Sequence, residues 1–363
     1  MKRILSITFL NFFVSGGLAL IIPLLLLERN IDLIEIGIIL SVLPLVFFIV
    51  RILLAAIADL KGWNRFYLLV NWPASLFSTL IYAMANSIPF FLFGKLVEAV
   101  KESSYWGVNR TAIFSLSPKK EEKEATKNSA VLALATAIGS AVAGIGIAYF
   151  GFSIAISVFI VASTIIGIPA ALLWRTPIQK SDSKTCKIKD LLNPKSRGRK
   201  FWFVSLILLF FSLSRYPLLY LLLPVFMVQE LGYSYITIGI AYMLYNLISS
   251  FATFGALKIS LGLKRVIFQS SIAIFASFLL SNSNVYFLVL FMALALAEGF
   301  CWGFFESIIA KVTKKSLCTS IDIGLLHIPM RLAEFISILF AGFVAQLMGY
   351  SPVFILEEVN HSP

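Results

Sequence analysis

Charge is scarce in this chain. Only 13% of its 363 residues are Asp, Glu, Lys or Arg, and 59% are hydrophobic, against about 25% and 45–50% in soluble globular domains. That deficit, with a strongly positive mean hydropathy, excludes an ordinary soluble domain and points to an integral membrane protein. Histidine is nearly absent, at two residues, and cysteine numbers three. Cys186, Cys301 and Cys318 lie too far apart for a disulfide framework or a structural metal site. No nucleophile elbow, phosphate-binding loop or metal-ligand spacing occurs, so no catalytic residue, metal or cofactor is expected. The missing nucleotide site also argues against a primary pump.

What the chain has is long apolar runs, at about 4–27, 34–58, 66–86, 88–113, 128–149, 152–174, 201–228, 235–257, 266–281, 285–309 and 321–348. Most reach the roughly 20 residues that a helix rising 1.5 Å per residue needs to cross the hydrocarbon core. They are too long, and alternate too little, for barrel strands. Eleven complete helical spans are therefore predicted. The first follows Lys2 and Arg3 but runs on without a small-residue cleavage site, so it reads as a retained helix rather than a signal peptide.

The net charge of +12 suggests nucleic acid until it is placed on a topology. With the N-terminus cytoplasmic, the outer connections hold Arg29 alone. Arg51, Lys95, Lys101, Arg215 and Arg331 fall within spans, and the remaining basic residues fall on inner segments. That asymmetry is the positive-inside pattern of a multi-pass protein, expected in a cell membrane of prokaryotic type. Basic charge here is topological, and no nucleic-acid partner is expected.

The longest polar stretch, "RTPIQKSDSKTCKIKDLLNPKSRGRK" at 175–200, separates six apolar segments (1–174) from the rest (201–363). It reads as a solvated cytoplasmic linker or, alternatively, a basic surface on anionic headgroups. The two halves are related. Residues 86–111 align without a gap onto 282–307, and eight positions match: Asn86/Asn282, Ser87/Ser283, Phe91/Phe287, Leu92/Leu288, Ala99/Ala295, Glu102/Glu298, Trp106/Trp302 and Gly107/Gly303. Leu and Phe matches mean little in membrane helices; a shared Glu-x-x-x-Trp-Gly means more. "IPLLLLERNIDLIEIG" (22–37) also parallels "LPVFMVQELGYSYITIG" (223–239), and "GWNR" (62–65) parallels "GLKR" (262–265). Parallel repeats joined by a basic linker are an architecture of secondary transporters.

On these features the chain resembles the major facilitator superfamily. "AAIADLKGWNR" (55–65) is similar to the family's loop Gly-x-x-x-Asp-Arg-x-Gly-Arg-Arg, with Asp59 and Gly62 in place and Lys61 and Arg65 nearby; Ala55 and Leu60 depart from it. "KLVEA" (95–99) resembles, more distantly, the family's Arg-x-x-Gln-Gly. The resemblance implies an all-α membrane fold of two six-helix bundles, a central cavity lined by the first, fourth, seventh and tenth helices, and alternating access. It further implies a gating loop of Asp59, Gly62 and Arg65, with Asp59 approaching the helix that starts near Ser320. The twelfth helix of such a fold begins here at "SPVFIL" (351–356) and stops at "EEVNHSP", so an incomplete last helix is expected.

Within the spans, charges at bilayer depth cost at least about 2.5–3.5 kcal/mol each and are expected to face cavities or partners. At 100° per residue, Lys95, Glu98, Glu102, Trp106 and Arg110 fall within an arc of about 120° on the fourth span. Glu298, Trp302 and Glu306 cover about 80° on the tenth, and His327, Arg331 and Glu334 about 60° on the eleventh. With Lys101 and Arg215 these form the candidate solute and proton pathway. Lys95–Glu98, Glu98–Lys101 and Arg331–Glu334 are spaced to pair within a helix, the structural alternative to a functional role. His327 and the two tryptophans could equally be packing residues. At least one bond between the halves is expected, from Arg215 or Arg331 to Glu98 or Glu102. Glu298, with no cation within two turns of its own helix, is expected to carry the proton, and Glu102 to position solute.

Together these features predict a monomeric secondary transporter, energised by protons, that moves a small polar, charged or zwitterionic solute by alternating access. An exporter of amphipathic compounds is the alternative that the 14% aromatic content supports. A non-transporting degenerate transporter or scaffold is the alternative that the short last helix supports.

Overall fold

A computed structural model of the chain describes residues 1–61, 63–117, 121–175, 198–257, 270–272, 275–276, 286–313, 319–350 and 352. Among these the only regular structure is helical. Most of the predicted linker (176–197), most of the ninth span (266–281) and nearly all of the twelfth segment lie outside the described residues.

The N-terminal half contains α1 (Lys2–Glu28), α2 (Leu33–Lys61), α3 (Asn64–Met84) and α4 (Ile88–Leu116). The run Glu121–Trp174 is helical throughout except at Gly151, whose φ of 75° departs from the helix. A straight helix of its 54 residues would extend about 80 Å, far beyond a hydrocarbon core of about 30 Å. The chain folds back instead: a Cβ on Gly146 would lie 3.1 Å from that of Ala155, residues that a straight helix would hold about 13 Å apart. The two limbs, α5 (121–150) and α6 (152–174), are the predicted fifth and sixth spans. Beyond the linker come α7 (Arg199–Gln229), α8 (Tyr235–Leu257), α9 (Phe287–Thr313), α10 (Thr319–Leu326) and α11 (Ile328–Met348).

Seven described helices are long and apolar enough to cross a membrane, counting α5 and α6 as one. The fourth predicted span forms one continuous helix, α4, but its charges keep it out of that number. α9 is apolar over Phe287–Trp302 and continues as helix to Thr313.

Local irregularities follow from proline. A π-helical turn at Tyr67–Asn71 precedes Pro73 in α3, and another at Leu218–Leu222 precedes Pro224 in α7. A proline ring has no N–H and clashes with the carbonyl four residues back, and a wider turn relieves both problems.

Several contacts obey the repeat. Asp32 Oδ1 accepts from the Glu35 N–H at 2.8 Å to cap α2, and Ser234 Oγ accepts from the Thr237 N–H at 3.2 Å to cap α8. Ser103 Oγ of α4 donates to the Phe47 carbonyl of α2 at 3.2 Å. In the other half, Gly299 of α9 is pressed on the Ser249 carbonyl of α8, which a Cβ would approach to 2.2 Å.

The halves meet along two seams, α2 with α11 and α5 with α8. Both carry glycine on each side, Gly37 with Gly342 and Gly144 with Gly239. Leu33 N–H also donates across the first seam to Gln346 Oε1 at 2.9 Å, and Tyr235 hydroxyl donates to Glu28 Oε2 at 3.3 Å. These contacts draw the halves together at the end that carries the 29–32 and 230–234 connections.

Candidate functional site

A cavity of about 350 Å³ lies between the halves. It is lined from α1, α2, α4 and α5 on one side and from α7, α8, α9 and α11 on the other. Residues such as Ser129, Leu132, Ser250 and Thr253 extend its wall along α5 and α8 away from the glycine crossings.

On α4 the polar stripe is resolved into two ion pairs. Lys95 Nζ lies 2.8 Å from Glu98 Oε2, and the Tyr82 hydroxyl donates to the same oxygen at 2.6 Å. Glu98 and Lys95 are both buried yet reach the cavity wall. Lys101 is fully buried and does not itself line the cavity. It reaches back to Glu102 Oε1 at 3.0 Å and donates to Ser15 Oγ at 2.6 Å. Ser15 passes its own hydroxyl hydrogen to Glu102 at 2.7 Å, and the Trp106 indole N–H donates to the other carboxylate oxygen at 3.1 Å.

The C-terminal half repeats this arrangement with a different cation. Trp302 N–H donates to Glu298 at 3.1 Å, the same one-turn contact as Trp106 with Glu102. The partner from the seventh span is Arg215, whose Nε is bonded to Glu298, and the Tyr245 hydroxyl of α8 occupies the second oxygen. Arg215 also lies over the Trp302 ring, 5.3 Å from its centroid. On α11, Arg331 Nη1 is bonded to Glu334, which accepts a further hydrogen bond from Ser212 Oγ at 3.3 Å. The Arg331 guanidinium lies 4.2 Å over the ring of Phe47, a residue of α2.

All four described carboxylates of the cavity wall thus have a cation at contact distance. Each pair is neutral as a unit and is held by further donors, which offsets the desolvation that a lone buried charge would incur.

Two expectations change. Each ion pair lies within its own half, so the anticipated bond from Arg215 or Arg331 to Glu98 or Glu102 is not formed in this conformation. Arg331 does reach across to the other half, but onto the ring of Phe47 rather than onto an acid. Glu298 is not the cation-free acid that its own helix suggested, because Arg215 arrives from α7. The reason is general: pairing within a helix can be read from spacing, whereas a partner from another helix depends on packing.

Of the other predicted residues, His327 is the N-cap of α11, where its carbonyl accepts from the Arg331 N–H at 3.0 Å, and it is not part of the cavity wall. Arg65 is exposed, its guanidinium 5.6 Å over Trp174 at the end of α6. Gly62 and the side chains of Asp59 and Glu306 lie outside the described residues. Sequence reasoning missed Ser15, Phe47, Tyr82 and Tyr245. Hydroxyls and aromatic rings are common in membrane helices, and nothing in their spacing marks these four.

The profile of the Major Facilitator Superfamily matches residues 4–281. No curated protein matches the chain. Solved structures share its fold across nearly the whole length. The human organic anion transporter MFSD10 (TETRAN) superposes with a TM-score of 0.73 at 15% identity, over 99% of this chain and 97% of that one. The nucleoside transporter NupG gives 0.76 at 14%, over 99% and 96%. A bacterial homolog of the human lysosomal transporter Spinster, inward-facing and unoccupied, gives 0.78 at 14%, over 99% and 93%.

Proposed function

The chain belongs to the Major Facilitator Superfamily, a family of transporters rather than enzymes, and on that premise we propose that it is a secondary active transporter. It moves a small polar, charged or zwitterionic solute across the cell membrane by alternating access, coupled to protons. Residues 1–174 and 201–363 act as the two bundles, with 175–200 as their cytoplasmic linker and eleven complete spans in all. The protein works as a monomer in the bilayer, with its N-terminus inside.

The observation that carries this reading is the repeat-related pair Glu102–Trp106 and Glu298–Trp302. Each has the same indole-to-carboxylate bond, and both face one cavity between the halves. A mid-span carboxylate exposed in turn to each side is what proton coupling requires. The glycine crossings draw together the ends that the charge pattern places outside, and the cavity extends the other way. That arrangement corresponds to an inward-facing state. The organic anions and nucleosides named for two structural neighbours are polar solutes as well.

Coupling is assigned to Glu298 in preference to Glu102. The cation of Glu102 is its chain neighbour Lys101 and moves with it. The cation of Glu298 stands on another helix, so a shift of α7 against α9 can separate the pair and free the carboxylate to take a proton. Solute uptake and efflux in proteoliposomes, over a panel of polar and amphipathic solutes with and without a pH gradient, test the reading. Wild type should concentrate a polar solute only with the gradient, and Glu298→Gln should exchange solute without concentrating it. Accumulation that ignores the gradient would overturn the coupling, and movement of amphipathic compounds alone would favour an exporter of that class.

A further inference from the structure

Hydrogen-bonding capacity in the cavity is unevenly distributed. In the C-terminal half both oxygens of Glu298 and both of Glu334 already accept from protein donors. The arginines that serve them are only partly used. Arg215 bonds Glu298 through Nε alone, leaving both terminal nitrogens without a protein acceptor. Arg331 bonds Glu334 through Nη1 alone, and its Nε is enclosed without any partner. A guanidinium carries five N–H donors in a rigid fork, so most of the donors on these two groups are unspent. Of the carboxylate oxygens on the described cavity wall, only Glu98 Oε1 lacks a donor.

Geometry limits what the spare donors can meet. One face of each guanidinium is covered by a ring, Trp302 for Arg215 and Phe47 for Arg331. One edge of each is held by its glutamate and Arg331 Nε is enclosed, so the donors left to present are on the terminal nitrogens. Both residues line the cavity, with Tyr216 and Tyr220 of α7 in the same wall. Arg215, Glu298, Arg331 and Glu334 all line this one cavity.

From this surplus of donors we infer that the transported solute is an organic anion, a carboxylate carrying an aromatic or apolar body. Its oxygens take the free edges of Arg215 and Arg331, and its body packs among the surrounding rings. Planar, ring-stacked guanidinium edges suit a carboxylate, which can accept two parallel N–H bonds from one fork. A cation would find one spare carboxylate oxygen, Glu98 Oε1, against the several unspent donors of two arginines. This inference rests on the transporter reading for the word transported, but the binding it describes can be tested separately.

The test uses three probes of nearly one shape and different charge: benzoate, benzamide and benzylammonium. Each is titrated at neutral pH into the full-length protein in detergent, with tryptophan fluorescence and thermal stability as readouts. Benzoate should bind saturably, and the other two at least about tenfold more weakly, since charge-assisted hydrogen bonds are the ones lost. Arg215→Lys keeps the charge beside Glu298 but removes the fork. The double variant Arg331→Gln, Glu334→Gln removes a pair without leaving a buried charge. Each should weaken benzoate roughly tenfold or more while keeping a folded melting transition. Equal binding of the three probes, or unchanged benzoate affinity in Arg215→Lys, would overturn the inference. Counterflow in proteoliposomes separates the two claims. Benzoate that binds but is not moved counts against transport, and flux of other solutes without benzoate binding counts against the anion site alone.

Discussion

Gly144 of α5 and Gly239 of α8 approach so closely that a Cβ built on either would fall within 2.7–2.8 Å of the other's Cα. On Gly144 it would also come 2.4 Å from the Tyr235 carbonyl. These neighbours are backbone, which cannot rotate away as a side chain can. Gly144→Ala should therefore force the α5–α8 seam apart and open the cavity toward the end with the 29–32 connection. In a background lacking Cys186, Cys301 and Cys318, a cysteine placed at Leu20 should become severalfold more reactive to a reagent applied from that side. A folded Gly144→Ala protein with unchanged labelling would show that the crossing does not seal this end.

Lys101 is fully buried and anchors Glu102. Removing one member of such a pair strands the other charge, at a cost of about 3–5 kcal/mol. Lys101→Met should lower stability by that order in chemical unfolding. Lys101→Met combined with Glu102→Gln should recover most of the loss, because no charge then remains unpaired. Additive losses in the double variant would mean that the two side chains do not act as a unit.

Phe47 lies under two cations, Arg331 from α11 at 4.2 Å and Arg51 from its own helix at 5.5 Å. Cation–π contacts are worth about 0.5–2 kcal/mol as desolvation increases. Phe47→Leu should cost about that much, whereas Phe47→Tyr, which keeps the ring, should stay near wild type. Comparable losses in both variants would assign the effect to packing instead.

Gly151 has a φ of 75° and no atom within 4 Å of a prospective Cβ, so its constraint is conformational rather than steric. Gly151→Ala should destabilise the α5–α6 hairpin by about 1–2 kcal/mol, the cost of a left-handed backbone for an L-residue. Gly198→Ala is the control, since Gly198 has a φ of −67° and equally open surroundings. Similar melting shifts in both variants would remove the conformational argument.

Much of the site could be read from residue order. The spacing of Lys95, Glu98, Glu102 and Trp106 places them on one helical face, and α4 presents Lys95, Glu98, Glu102 and Trp106 to the cavity. The Lys95–Glu98 and Arg331–Glu334 pairs, three residues apart, form as their spacing allows. The match between Glu102–Trp106 and Glu298–Trp302 reappears as two equal indole-to-carboxylate bonds of 3.1 Å. Ser15, Tyr82 and Tyr245 could not be found this way, because each reaches its carboxylate from another helix and looks ordinary in its own.

The sequence by itself determined that the chain is a helical membrane protein, where most of the described helices run, and that α4 has a polar face. Hydrophobic length and the helical period are local properties, expressed before any helix meets another. Only the tertiary structure decided which side chains meet between helices. Arg215 meets Glu298, and Arg331 lies on Phe47 rather than on an acid of the other half. Those pairings depend on the distance and rotation between helices far apart in the chain. Here these are set by close backbone approach at glycine crossings and by side-chain volume, neither of which is visible in the periodicity of a single helix.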